Sequence, residues 1–406
     1  TTVDGVPVYL LGNDAYFDRD FLYGTSEGDY PDNHRRFAFF CRGALAAADR
    51  LGFSPDILHC HDWHTALVPL ILRHEREAFP FLRASATVFT IHNLAYQGLF
   101  PAEALPEMGL SPALFTIDWL EFYGKVNLMK GGILAADSVT TVSESYCREI
   151  LAPEEGCGLD GVLRVRRADL HGILNGLDYD VWNPATDRGI LATYSADDAG
   201  TGKRVNKEEL QRELGLEVAP DIPILAMVSR LSAQKGFDLL ARILPALAGL
   251  RAQVVIVGVG DEKYLRLLRR FQRRGLPNLS ITLSFAPGLA PKVYAGADIF
   301  IMPSRYEPCG LGQLIALRYG TVPVVRRTGG LADTVSDGVT GFVFDDYTAA
   351  ALGDAVKRAL SAYEDRTAWE ALVRRGMRCD FSWPQSAAKY EALYGAAIAK
   401  KRTKKQ

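Results

Sequence analysis

Two successive series of short, β-rich apolar runs, each run separated from the next by an amphipathic helical stretch, constrain this chain more than any other feature. That rhythm is the signature of α/β architecture with parallel sheets. The first series comprises residues 6–11, 56–60, 87–91, 138–142 and 172–174. Between its first two runs the pattern predicts a helix over 34–51, with Asp32 or Asn33 as N-cap and Gly52 just past its end. The second series comprises 224–229, 253–257, 280–283, 298–302 and 322–325, with helices expected over 237–250 and 262–274 among others. Residues 178–223 are richer in Asp, Gly, Pro and Thr and read as a linker plus one helix. A length of 406 residues suits two domains divided there. Two doubly wound domains of similar size leave a cleft between the carboxyl ends of their strands, where ligands of such sheets bind.

Composition narrows the function. With 46 basic and 48 acidic residues the formal net charge is −2, which gives no basic face for a nucleic acid. No apolar run reaches the length that crosses a bilayer, and no signal-peptide pattern opens the chain. The six cysteines, at 41, 60, 147, 157, 309 and 379, form no CxxC pair and fit reduced thiols in the cytoplasm.

All seven histidines lie at or before His171, and three crowd into the run from His59 to His64. On a strand His59 and His61 share a face, and a zinc or iron site is the tempting reading. No second group of ligands is spaced to complete it, so substrate contact or packing at the strand end is the expectation, with no metal. Two Asp-x-Asp triplets, Asp18–Asp20 and Asp178–Asp180, could hold a divalent cation against a diphosphate. Neither follows a buried strand, and chance is the better account.

The second half carries the phosphate chemistry. Arg230 and Lys235 sit in a loop between an apolar strand and a helix, pointing at the cleft. An arginine fork and a mobile ammonium there can neutralise a diphosphate without metal. In the segment 298–320 a strand gives way to a loop with Pro303, Glu307, Pro308, Cys309 and Gly310, then to a helix opening near Gly310 or Leu311. The unpaired N–H groups of a helix start are a seat for phosphate. Glu307 just before it is placed to accept from sugar hydroxyls. Thr328 opens another glycine turn after a strand, while Gly258–Gly260 reads as an ordinary tight turn. The run from Gly200 to Lys203 imitates a phosphate loop but lacks its spacing and is set aside.

Taken together, HDWHT (61–65), TIHNLAYQGLF (90–100), NGLD (175–178), KRVNKEELQRELGL (203–216), SRLSAQKGFDLL (229–240), PSRYEPCGLGQL (303–314) and RRTGGLADTV (326–335) resemble the bacterial glycogen synthase and plant starch synthase family. The resemblance runs over nearly the whole chain. It implies a GT-B fold of two Rossmann-like domains facing across a cleft, over 1–178 plus 383–400 and over 179–382. A C-terminal helix over 384–399 crosses back to the first domain. It also implies glucosyl transfer from ADP-glucose to the 4-hydroxyl of an α-1,4-glucan with retention, in the cytoplasm (or a plastid), with no cofactor beyond the donor. Carried over by position, Arg230 and Lys235 grip the diphosphate and Glu307 the glucose hydroxyls. Cys309, Gly310 and Leu311 surround sugar and phosphates with N–H groups, and Gly312 and Thr328 belong to the same substrate set. His92 and Asn93 face the glucose from the first domain, with Asp62 and Trp63 nearby, Asn175 at the inter-domain crevice and Phe285 against the adenine.

The family's opening strand and its lysine-bearing glycine loop are not matched. The first domain is therefore expected to lack its opening strands and to expose apolar edges. Two alternatives remain at this level: a GT-B enzyme using UDP-glucose, and a transfer-deficient chain that binds nucleotide or glucan.

Overall fold

A computed structural model describes residues 1–25, 28–247 and 249–403. Ala248, expected inside a helix, and Lys404, Lys405 and Gln406 of the basic terminus lie outside the described residues. The chain divides into two units. One comprises 1–142, 147–173 and 389–406, the other 143–146 and 174–388.

In the first unit, helix α1 (Asn33–Arg50) buries His34, Ala38, Cys41 and Leu45, a stripe at helical spacing. Asp32 occupies its N-cap position but does not cap it: the carboxylate takes both Nη atoms of Arg19, at 2.8 and 2.7 Å. After β1 (Ile57–His61), α2 (Leu67–His74) and β2 (Ala86–Ile91) come three short strands, β3 (Leu99–Phe100), β4 (Glu121–Phe122) and β5 (Lys125–Asn127). Then follow α3 (Leu128–Ala135), β6 (Ser138–Thr141) and β7 (Leu170–Gly172). The main sheet is parallel, in the order β7-β6-β2-β1, with β2 buried along its whole length. Strands β3, β5 and β4 form a separate antiparallel sheet that the hydrophobic pattern did not reveal.

The expected strand over 6–11 shrinks to Val6–Pro7, paired with Thr2–Val3 in a two-stranded ribbon. Residues beyond Pro7 find no sheet to join, and Tyr9 and Leu10 are exposed. With Phe21, Leu22, Phe40 and Phe53 they leave a large exposed apolar content on this unit, and β1 stands at its sheet edge.

The second unit opens with α4 (Ala199–Glu213) and continues as β8 (Ile224–Val228), α5 (Phe237–Leu247), β9 (Gln253–Val257), α6 (Glu262–Gln272) and β10 (Leu279–Thr282). It proceeds through α7 (Leu289–Gly296), β11 (Ile299–Met302), α8 (Gly312–Arg318), β12 (Val322–Arg326), α9 (Gly329–Thr334), β13 (Phe342–Phe344), α10 (Ala349–Glu364) and α11 (Arg366–Met377). Every pairing is parallel, in the order β10-β9-β8-β11-β12-β13. This is the doubly wound order, with its switch point between β8 and β11. Strands β9, β11 and β13 are buried throughout, as covering on both faces requires. The last helix, α12 (Trp383–Thr403), outruns the expected 384–399, and its residues from 389 group with the first unit.

Candidate active site

At the switch point of the second sheet two strands part, and the loops that leave their carboxyl ends carry the expected phosphate and sugar groups. The loop after β8 holds Arg230 and Lys235; the loop after β11 holds Ser304, Glu307, Cys309 and Gly310. They meet directly. Lys235 Nζ lies 2.6 Å from Glu307 Oε2, and Ser304 Oγ donates to the same oxygen at 2.9 Å. Glu307 is 4% exposed, so its carboxylate sits in the protein with a cation and a hydroxyl on one oxygen. Backbone contacts align the loops further, with Arg305 N–H donating to Gln234 O and Gln234 Nε2 to Tyr306 O. Arg230 is exposed, and its guanidinium makes no hydrogen bond or ion pair among the described residues.

Glycines let these loops lie on one another. A Cβ on Gly236 (φ +71°) would fall 2.0 Å from Pro303 O. Added to Gly329 or Gly330 it would fall 1.9 Å from Glu307 O or 2.0 Å from Cys309 O. Gly330 N–H donates to Glu307 O at 3.0 Å. The glycine pair after Thr328, which is buried, thus presses backbone to backbone on the Glu307–Cys309 loop. Gly258 and Gly260, read as an ordinary tight turn, do more than that. Cβ atoms there would sit 2.1 Å from Ser229 O and 2.3 Å from Leu231 O, so these glycines admit the strand of chain that carries Arg230.

Helix α8 begins at Gly312, with Leu311 at its N-cap position and Gly310 at φ +73°. Gln313 Nε2 donates to the carbonyls of Cys309 and Gly310, and the first-turn N–H groups have no intrahelical partners. Gly312 lies against Phe300 and Met302, where a Cβ would be 3.1 Å from the ring. Burial pushes the Cys309 thiol up to about 12, against the opposing N–H of Asn175 at its sulfur, so the thiol stays protonated. Leu311 and Phe285 are exposed, Phe285 to 83%, on the loop after β10.

The first unit groups the other expected residues at the ends of β1 and β2. Asp62 (φ +57°) accepts from His92 N–H at 2.8 Å and from Asn93 N–H, which locks the turn after β1 to the loop after β2. Burial raises its pKa and those two N–H groups oppose the rise. Trp63 is buried under that loop, and Gly98 is required there because a Cβ would fall 2.5 Å from the indole. His61 Nδ1 and His92 Nε2 are 3.1 Å apart, and burial lowers the pKa of both.

His59 and His61 share a face as expected, with ring centroids 4.2 Å apart, while His64 turns away from them. His59 is held between Tyr394 Oη and Thr90 Oγ1, at 2.7 and 2.6 Å, and burial pulls its pKa down to about 3. His64 stacks on Tyr23 at 4.7 Å. Among the described residues no three His, Cys, Asp or Glu side chains gather as a metal site. Asp178 Oδ1 accepts from the N–H groups of Asp180 and Val181, the turn-forming use of an aspartate. Lys203 of the phosphate-loop imitation instead donates to the carbonyls of Tyr294, Ala295 and Tyr319, at the ends of α7 and α8. Sequence reasoning missed Ser304 and Gln313; their spacing from Glu307 and Cys309 was the only available signal.

Residues 1–165 match the family described as starch synthase catalytic domain, and 207–375 match glycosyl transferases group 1. The chain is 61% identical to a glycogen synthase of Geotalea uraniireducens over 407 aligned residues, covering 99% of this chain and 84% of that one. The chain belongs to the glycogen synthase family. It is a glycosyltransferase with the GT-B fold. Among solved structures, the catalytic domain of starch synthase IV from Arabidopsis thaliana, bound to ADP and acarbose, matches with a TM-score of 0.89 and 35% identity over 98% of this chain and 84% of that one. Sucrose-phosphate synthase from Thermosynechococcus elongatus shares the fold, with a TM-score of 0.59 and 20% identity over 90% and 79% of the two chains. No helix among the described residues of this glycogen synthase relative is long and apolar enough to cross a membrane.

Proposed function

We propose that this chain transfers glucose from ADP-glucose to the non-reducing 4-hydroxyl of an α-1,4-glucan, with retention of configuration. The observation that carries the reading is the Lys235–Glu307 pair at the switch point of the second sheet, 2.6 Å between charged atoms. It brings a phosphate-type cation and a sugar-type carboxylate into contact where doubly wound sheets bind ligands. The ADP and acarbose of the starch synthase IV structure support a nucleoside diphosphate and a glucan as the two ligand classes.

In this reading Lys235 and Arg230 neutralise the diphosphate as it departs with a growing negative charge, helped by N–H groups from Cys309 to Gly312. Such preorganised donors lower the barrier because they need no reorganisation as charge develops. Glu307 accepts from glucose hydroxyls through Oε1, since Oε2 already takes Lys235 and Ser304. Thr328 and the glycines after it hold the Glu307 loop in place, and Phe285 stacks on the adenine. His92 and Asn93, clamped by Asp62, contact the glucose, as neutral imidazole and amide. Trp63 supports that loop from beneath, and Asn175 buttresses Cys309. The acceptor hydroxyl attacks on the face the diphosphate leaves, and a phosphate oxygen takes its proton, so no protein nucleophile is assigned.

Nucleotide titration tests the phosphate assignment. Arg230→Ala and Lys235→Ala should each weaken ADP binding and lower transfer by about 10²-fold. Unchanged ADP affinity in both variants would overturn it.

A further inference from the structure

The turn that joins β4 to β5 is built from Tyr123 and Gly124, both at positive φ, +48° and +78°. Two-residue hairpin turns of this hand favour Asn-Gly or Asp-Gly, and a bulky ring in the left-handed region is a strained choice. Local folding therefore argues against tyrosine at this position. Core packing does not demand it either, because Tyr123 is 84% exposed. Its ring stands edge-on to Phe122, with centroids 4.7 Å apart and planes at 81°. Among the described residues it is the one exposed aromatic held at positive φ. Strain of this kind clusters at functional sites, and of the four non-glycine residues at positive φ among the described residues, Asp4, Asp62, Tyr123 and Cys157, Asp62 is already placed in the candidate site.

The hairpin is not an isolated flap. Strand β5 pairs with β3, the strand that follows the loop bearing His92 and Asn93. Asn127 Nδ2 donates to Gln97 Oε1 at 2.7 Å, and Gln97 Nε2 donates to Cys157 O at 3.0 Å. The next residue, Gly158, comes so close to the hairpin tip that a Cβ there would lie 3.7 Å from Tyr123 Cε2. One hydrogen-bonded frame thus fixes the exposed ring relative to the loop assigned to the sugar.

We propose that Tyr123 is a stacking platform for the acceptor glucan, holding a glucosyl unit of the chain away from its reacting end. The C–H face of a pyranose packs on an aromatic face, and a tyrosine ring loses little conformational entropy when it is so used. The proposal rests on the glucan synthase reading and adds to it a binding subsite in the first unit.

The test compares wild type, Tyr123→Asn and Tyr123→Phe by mobility in gels containing glycogen, without donor, and by steady-state kinetics. Tyr123→Asn should weaken glycogen binding by about fivefold or more. The KM for glycogen should rise in step, while the KM for ADP-glucose and the kcat at saturating glycogen stay at wild-type values. Because Asn suits the turn, this variant should melt no lower than wild type. Tyr123→Phe should retain wild-type binding. Unchanged glycogen binding in Tyr123→Asn overturns the platform, as does an equal loss in Tyr123→Phe. Failure of the wild type to transfer glucose would instead overturn the synthase reading, while the donor-free gel still reads glucan binding by itself.

Discussion

Replacing Glu307 by alanine should lower kcat for glucosyl transfer by about 10³-fold and leave ADP binding largely intact. The carboxylate is buried, and its Oε2 is held by Lys235 and by Ser304. Removing it takes away the acceptor for sugar hydroxyls and frees the ammonium of Lys235, which still carries the charge the diphosphate needs. Glu307→Gln separates charge from shape: it keeps the side chain's size and an acceptor but loses the ion pair. Its kcat should fall nearly as far as that of the alanine variant. Isothermal titration with ADP, alongside turnover, checks the division. Loss of ADP binding in step with turnover would instead make Glu307 a structural member of the loop.

Lys207→Met should destabilise the second unit by about 3–5 kcal/mol, read as a fall in Tm of roughly 10 °C. Lys207 is 3% exposed and sets its ammonium 2.7 Å from Asp298 Oδ2, with Tyr363 Oη and Pro220 O at 2.8 and 2.9 Å. Burial works against its charge, but Asp298 and Tyr363 outweigh it and hold the pKa above the ordinary lysine range. Asp298 in turn accepts from Ile224 N–H at 2.8 Å, so the pair ties α4 to the start of β8 and β11. Methionine fills the space but leaves the Asp298 carboxylate buried without its cation, and that uncompensated charge is the main cost. Adding Asp298→Leu should recover part of the loss, because an apolar pair is less costly there than a lone carboxylate. Thermal melts of the two variants and of the double variant read this directly.

The second unit was largely legible in the sequence because its inner strands β8, β9, β11 and β12 are nearly continuous apolar runs, which burial on both faces imposes. Strand β10 interleaves Ser280 and Thr282, and the three-residue β13 has no counterpart among the expected runs. The runs at 253–257 and 298–302 lie within a residue of β9 and β11. The short sheet of β3, β5 and β4 was not legible: strands of two or three residues are too brief for any period to register. The run at 6–11 failed for the opposite reason, since its apolar pattern has no neighbouring strand to pair with. Asp32 shows how tertiary contacts override local preference, because an arginine thirteen residues earlier outcompetes the helix N–H groups.

At the site, the residue types and their loops could be read from strand-end position, but their partners could not. Nothing in the spacing says that Lys235 meets Glu307 across 72 residues, or that Gly330 lies on Cys309. Those contacts follow from the strand order, which places β11 between β8 and β12. The left-handed backbone of Tyr123 was invisible for a related reason, because hairpin strands this short leave no pattern that marks their turn.

The decisive measurement is transfer of labelled glucose to glycogen, from ADP-glucose and from UDP-glucose in parallel, with wild type and Glu307→Ala. The wild type should transfer from ADP-glucose alone, and the variant should not transfer. Equal transfer from UDP-glucose, or no transfer by a wild-type chain that binds ADP, would contradict the synthase reading.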